Sequence, residues 1–131
     1  MKKFRIMLDI DGTITHAPQF FAELSQRFKD IAEIHVVTAR CKEADKEYSP
    51  NTVEELAAFG VHYDYLAFTC EKAVYCIQKN INMLFEDTDE FYQNLPKDVL
   101  VFKIREEHNF DWPSKRWIYD NKTGVDLKDL Y

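Results

Sequence analysis

Phe4-Arg5-Ile6-Met7-Leu8-Asp9-Ile10-Asp11-Gly12-Thr13 decides how the rest of the chain is read. Its first half is a short apolar run broken once by Arg5, and such runs read as strands buried in a sheet. Its second half carries carboxylates at positions i and i+2, which leave a strand on the same side. Gly12 then permits a sharp backbone turn just beyond them. An Asp-Gly pair alone is ordinary turn chemistry. Preceded by a second acid and an apolar strand, it points instead to a ligand site, because open parallel sheets bind ligands beyond the carboxyl ends of their strands.

Four more short apolar runs follow, over 34–37, 63–68, 81–85 and 99–104, and each reads as a strand. Helical patterns separate them. Pro18 to Phe28 sets Phe20, Phe21, Leu24 and Phe28 at spacings that make one apolar stripe. Ser49-Pro50 supplies an N-cap followed by proline at the first helical position, and Gly60 closes that helix after Phe59. Thr69 is a cap candidate for a third helix over 71–79, and 89–95 forms a short fourth, stopped by Pro96. Strand and helix therefore alternate. The expectation is an α/β, Rossmann-like domain with a five-stranded parallel sheet and helices on both faces. Residues 105–131 carry Trp112 and Trp117 with weak periodicity, and read as an irregular tail on the core with one short helix or hairpin. No repeat, linker or charge block divides the chain, so residues 1–131 are expected to be a single domain.

A domain of 131 residues can bury roughly two-thirds of its unfolded surface. A hydrophobic fraction of 46% with only three Gly excludes a disordered or fibrous chain. The formal charge of −6 argues against general nucleic-acid binding, which needs a basic face. It leaves room for a phosphorylated metabolite held through a bound metal. The three cysteines form no CxxC pair, so neither a disulfide framework nor a cysteine zinc site is indicated. Lys2 and Lys3 precede the first apolar run, but Arg5 and Asp9 interrupt it, which fits neither a signal peptide nor a membrane span. A cytoplasmic protein without a membrane partner is expected.

Asp9-Ile10-Asp11-Gly12-Thr13 resembles the first motif of the haloacid dehalogenase (HAD) superfamily of phosphotransferases, Asp-x-Asp-Gly-Thr. Three further stretches agree with that superfamily in order and context. Val36-Val37-Thr38-Ala39-Arg40 is similar to its second motif, a strand ending in Thr or Ser. Lys72, in the first turn of the third helix, matches its third-motif lysine; a cation there opposes the helix dipole unless an anion lies nearby. Phe85-Glu86-Asp87-Thr88-Asp89-Glu90 resembles the fourth motif, an acidic pair, although Asp87 with Glu90 also spells a helix cap.

The resemblance implies that Asp9 is the nucleophile, forming an aspartyl-phosphate, and that Asp11 is the general acid/base. It implies that Thr38, with neighbouring amides, binds a phosphoryl oxygen and that Lys72 neutralises the nucleophile and the transferring group. Gly12, Thr13, Ala39 and Arg40 are expected to line the substrate. Mg²⁺ is the implied cofactor, with Asp9, Asp11, Asp87 and Glu86 as its ligands, since a hard cation takes oxygen donors. Asp87 is expected to bind directly and Glu86 through water, with Asp89 a less favoured substitute. In the superfamily's usual strand order the first strand lies centrally, beside the second and fourth. The enzyme implied is a Mg²⁺-dependent phosphomonoester hydrolase acting on a small phosphorylated metabolite.

The intervals Thr13 to Ile34 and Arg40 to Tyr63 are too short for an inserted cap domain, so a capless member is expected, with 41–48 as a small lid. An open site suits a large substrate or cover from another subunit, so a homo-oligomer is among the expectations. The compact layout with Thr38-Ala39-Arg40 and Arg105…His108-Asn109 is similar to the 5′(3′)-deoxyribonucleotidase-like group, which implies a nucleotide. Sugar phosphates, and a catalytically silent HAD-like binding protein, are the alternatives. A receiver-like signalling module would carry its phospho-accepting Asp at the end of the third strand, where this chain has Phe68-Thr69. Trp112, Trp117 and Tyr119 could stack on a base, though large aromatics more often anchor a tail. Of the histidines, only His108 is singled out as near a substrate.

Overall fold

The computed structural model describes residues 2–118. Five strands, Phe4–Leu8 (β1), Ala32–Thr38 (β2), Tyr65–Phe68 (β3), Met83–Glu86 (β4) and Leu100–Lys103 (β5), form one parallel sheet in the order β3-β2-β1-β4-β5. β1 is central because its residues are apolar on both faces. Leu8 and Ile6 enter a core with Ile34, Val36, Phe21 and Leu56, while Met7 enters the opposite core with Val37, Leu84 and Cys76. Each such side chain, fully withdrawn from water, favours folding by about 1.5–3 kcal/mol.

Helices Pro18–Phe28 (α1) and Thr52–Phe59 (α3) cover the first face, and Lys72–Gln78 (α4) covers the second. The chain is thus an α/β, Rossmann-like unit, as the alternation of elements predicts. Between β1 and β2 it holds α1 and its connections; between β2 and β3 it holds a one-turn helix, Lys42–Asp45 (α2), and α3. No helix among the described residues is long and apolar enough to cross a membrane.

Several local expectations are corrected. α1 has the predicted limits, but it buries Phe21 and Ser25 while Phe20 stays 56% exposed. Ser25 is tolerated because its hydroxyl donates to Ala22 O and accepts from His62 N. The cap of α3 is Asn51 and not Ser49, because the Asn51 side chain reaches the Glu54 N–H at 2.9 Å, three residues on. Gly60 ends α3 in a left-handed conformation, φ 78°, as expected. The helix expected over 89–95 is a single 3₁₀ turn, Asp89–Phe91, since the Tyr92 backbone leaves helical space and the Asp89 carboxylate is drawn to Lys103 and Tyr92. The tail contains a two-stranded hairpin, Phe110–Asp111 (β6) with Arg116–Trp117 (β7). Trp112 lies 4.6 Å from the Arg105 guanidinium and Trp117 lies 4.2 Å from Lys103 Nζ, so these rings pack within the hairpin and its neighbours. Tyr119 and the rest of the tail, 120–131, lie outside the described residues.

The strand order places a crevice. After β3 the chain returns to the other side of β1 to add β4 and β5, so order reverses between β1 and β4. Ligands in such sheets bind at the carboxyl ends of the strands on either side of that reversal. Asp9 follows β1 there, and Glu86 and Asp87 close β4.

Candidate active site

The Asp9 N–H still bonds to Phe85 O at 3.1 Å, prolonging the sheet by one residue before the chain turns. The turn over 10–14 is closed by bonds from Ile14 N to Asp9 O and from Thr15 N to Ile10 O. Gly12 adopts φ 84°, and a Cβ built on it would collide with the Asp87 carboxylate. Only glycine lets the turn after β1 lie against the loop after β4. That loop is pinned from beyond by buried Asn109, whose Nδ2 donates to Asp87 O at 3.0 Å and to Ile104 O at 2.7 Å.

Lys72 crosses from α4 into this junction. Its Nζ donates to Asp9 Oδ1 at 2.6 Å and to Glu86 Oε2 at 2.9 Å, and the side chain is 1% exposed. Burial pushes its pKa down, but Glu86 and Asp9 outweigh that and hold it above the ordinary value, so the ammonium stays charged. Glu86 is fully enclosed, and its other oxygen, Oε1, accepts from the Asp87 and Thr88 N–H groups at 3.2 and 3.3 Å. Burial, and then the Asp9 charge, drive its pKa well above the usual carboxylate range against the pull of Lys72. Burial also raises Asp87, helped by its hydrogen bond with Asp9, to about 7. The Thr13 hydroxyl donates to the second oxygen of Asp9 at 3.2 Å.

Three carboxylates thus crowd together, two of them on one ammonium. Oxygen atoms of Asp9, Glu86 and Asp87 lie within 4.8 Å of one another, a donor set of the kind a hard divalent cation accepts. Both Glu86 oxygens and both Asp9 oxygens already have partners inside the protein, so Asp87 is the least committed donor of the three. Asp11, expected among the metal ligands, has its carboxylate elsewhere. Arg40 grips it in a fork, Nε to Oδ2 at 2.8 Å and Nη2 to Oδ1 at 2.7 Å, and the Asp11 side chain is 63% exposed. That hydrogen bonding outweighs the effect of burial and holds Asp11 below the usual range. Asp89 lies outside the cluster as well, bonded to Lys103 Nζ at 2.7 Å.

Arg40 is turned inward by its neighbours. Its N–H donates to Thr38 Oγ1 at 3.1 Å, and its guanidinium also donates to Thr52 Oγ1 and to Glu55 Oε1, at 3.0 and 2.8 Å. Thr38 is buried at the end of β2, and Ala39 follows it beside Cys70 and Thr88 at the rim of a hollow. A cleft of ≈ 590 Å³ opens over Asp11, Gly12, Asp87 and Thr88, with His16 and His108 on its walls. His108, singled out in the sequence, thus lines this cleft together with His16. Glu55 and Thr52 shape the site without a motif to announce them, because a residue's polar partners are recognisable only once its surroundings are known.

Family models, curated proteins and solved structures were compared with the chain, and none matches it.

Proposed function

We propose that this chain is a Mg²⁺-dependent phosphomonoester hydrolase of the HAD type, with Asp9 as nucleophile and a small phosphorylated metabolite as substrate. The observation that carries this reading is the buried Lys72 ammonium 2.6 Å from Asp9 Oδ1. A cation sealed against a carboxylate at a strand end offsets the repulsion between that carboxylate and an incoming phosphate dianion. It also explains a lysine in the first turn of α4, where the helix dipole disfavours one.

In the proposed reaction Asp9 attacks phosphorus, and an acyl phosphate forms as the bond to the leaving alkoxide breaks. Asp11 gives that alkoxide a proton and then takes one from the water that cleaves the intermediate. Glu86 positions Lys72, Thr13 orients the second Asp9 oxygen, and Thr38 and Ala39 line the phosphoryl group. Asp87 and Asp9, with Glu86 behind them, would hold Mg²⁺, and the ion would supply charge neutralisation of the phosphoryl oxygens.

The fork between Arg40 and Asp11 favours a second reading. A carboxylate held below its usual range is a poor proton donor, which suits a HAD-like protein that binds phosphate without turning it over. Assay of p-nitrophenyl phosphate hydrolysis with Mg²⁺ separates the two. Turnover that disappears on exhaustive chelation and returns with Mg²⁺ is expected. Turnover that survives chelation rejects the metal-dependent mechanism, and none under any condition favours the silent reading.

A further inference from the structure

We propose that the cleft over Asp11 and Asp87 selects phosphomonoesters whose leaving group carries an ammonium, and that Glu106 is the residue that receives it. The proposal rests on the hydrolase reading. The cleft holds ≈ 590 Å³, within the range of small-molecule sites, and Glu106 lines it together with Asp11, Asp87, His16 and His108. Glu106 is 8% exposed, and the proposed chemistry does not use it. Its Oε1 accepts from the His108 N–H at 3.0 Å, and its Oε2 has no protein partner among the described residues. A carboxylate so far withdrawn from water is costly unless a charge or further donors match it. Its place is fixed by the loop that carries Asp87. Glu106 N–H donates to Asn109 Oδ1 at 2.8 Å, and Asn109 Nδ2 donates in turn to Asp87 O.

The charge on each wall decides what the cleft admits. Asp11 is matched by Arg40, and Asp87 belongs to the donor set that a divalent cation would neutralise. Glu106 has neither. The adjacent Arg105 guanidinium lies 4.9 Å from the Phe110 ring and 4.6 Å from the Trp112 ring, which commits it to those faces. Neither His16 nor His108 forms an ion pair with Glu106 among the described residues. An ammonium brings one positive charge and three N–H donors, which suit the free Glu106 oxygen and the imidazoles on the walls. A leaving group with a second anion would meet an unmatched carboxylate instead.

The test uses alkyl phosphates of two to four carbons that end in an amine, a hydroxyl or a carboxylate, assayed with Mg²⁺ at neutral pH beside p-nitrophenyl phosphate. At the best chain length the amine is expected to exceed the hydroxyl in kcat/KM by at least about tenfold, with the carboxylate poorest. Glu106→Gln keeps the shape and an acceptor for the His108 N–H. It is expected to bring the amine-to-hydroxyl ratio to about one, mostly through KM. Should that variant fail to fold, the wild-type order of the three substrates decides by itself. An amine no better than the hydroxyl at any length, a carboxylate that beats the hydroxyl, or a ratio indifferent to Glu106→Gln overturns the proposal. Turnover of p-nitrophenyl phosphate beside any of those results leaves the hydrolase reading intact. Without such turnover the hydrolase reading fails, and calorimetric titration with the amine and hydroxyl esters decides the cleft. Tighter binding of the amine, lost in Glu106→Gln, upholds Glu106 as its receiver; equal binding, or none, rejects it.

Discussion

Two clusters, each one cation between two carboxylates, meet the same turn of chain, 9–13, and they differ in how much water reaches them. Lys72 with Asp9 and Glu86 is sealed, every member being at most 5% exposed. Arg40 with Asp11 and Glu55 lies at the edge, its Asp11 side chain 63% exposed. Removing one partner from a buried set leaves a charge without compensation and costs about 3–5 kcal/mol, whereas an exposed pair contributes about 0–1 kcal/mol. Under the proposed chemistry the division makes sense. The sealed cluster holds a nucleophile that must not move, and the open one holds a carboxylate that must let go of Arg40 to carry a proton.

The hardest way to break the sealed cluster chemically is Asp9→Asn. It removes the attacking oxygen charge but keeps the shape, so turnover is expected to fall by at least roughly 10⁴-fold while circular dichroism stays native. Near-normal turnover in that variant would remove Asp9 as nucleophile. Lys72→Met attacks the same cluster energetically. A loss of about 3–5 kcal/mol is expected in urea unfolding, partly recovered by adding Glu86→Gln, which removes a charge the methionine leaves unmatched. A loss below about 1 kcal/mol would mean the cluster behaves like an exposed pair.

pH acts on the sealed cluster through its neighbour Asp87. Asp87, ordinarily 3.8, is raised to about 7 in the folded chain. An acid raised on folding contributes its stability fully below the ordinary value and loses it as pH rises through the folded one. The metal-free chain should therefore become less stable between pH 3.8 and about 7, by on the order of 4 kcal/mol, and Glu86 acts in the same direction. Millimolar Mg²⁺ should flatten that decline. A urea midpoint that rises over this range without metal would contradict it.

The smallest effect belongs to the open cluster. Arg40→Gln is expected to cost about 0.5–1 kcal/mol at neutral pH. Asp11 is held low by Arg40, so the stability of this pair is present above the ordinary carboxylate value of 3.8 and is lost as pH falls. The variant should therefore lose less on acidification than the wild type. A cost several times larger, measured by the same urea titration, would erase the contrast between the clusters.

How legible all this was in the sequence depends on the range of the interaction involved. The strands, the limits of α1, the Gly60 stop and the α/β class follow from apolar runs, spacing and turn residues, which are local. Asp9, Lys72, Glu86 and Asp87 were singled out by their places after strands or in a helix's first turn, and they meet. The cap of α3 was misplaced by two residues because Ser49 and Asn51 are equally good cap formers in isolation; only the reach to Glu54 N separates them. The apolar stripe of α1 was read one row off, because Ser25 becomes a core residue only through its bonds to Ala22 O and His62 N. Nothing near Asp11 announces Arg40 as its partner across 29 residues.

The sequence by itself determined the parallel α/β layering and the two acidic segments at strand ends, because hydrophobic period and turn chemistry act over a few residues. Tertiary structure decided what those acids do to one another. It set Lys72 between Asp9 and Glu86, closed Gly12 onto Asp87, and drew Asp11 out to Arg40. Those outcomes depend on burial and on distances between segments far apart in the chain, and the energy of a charge is settled by its surroundings, which only the folded chain supplies.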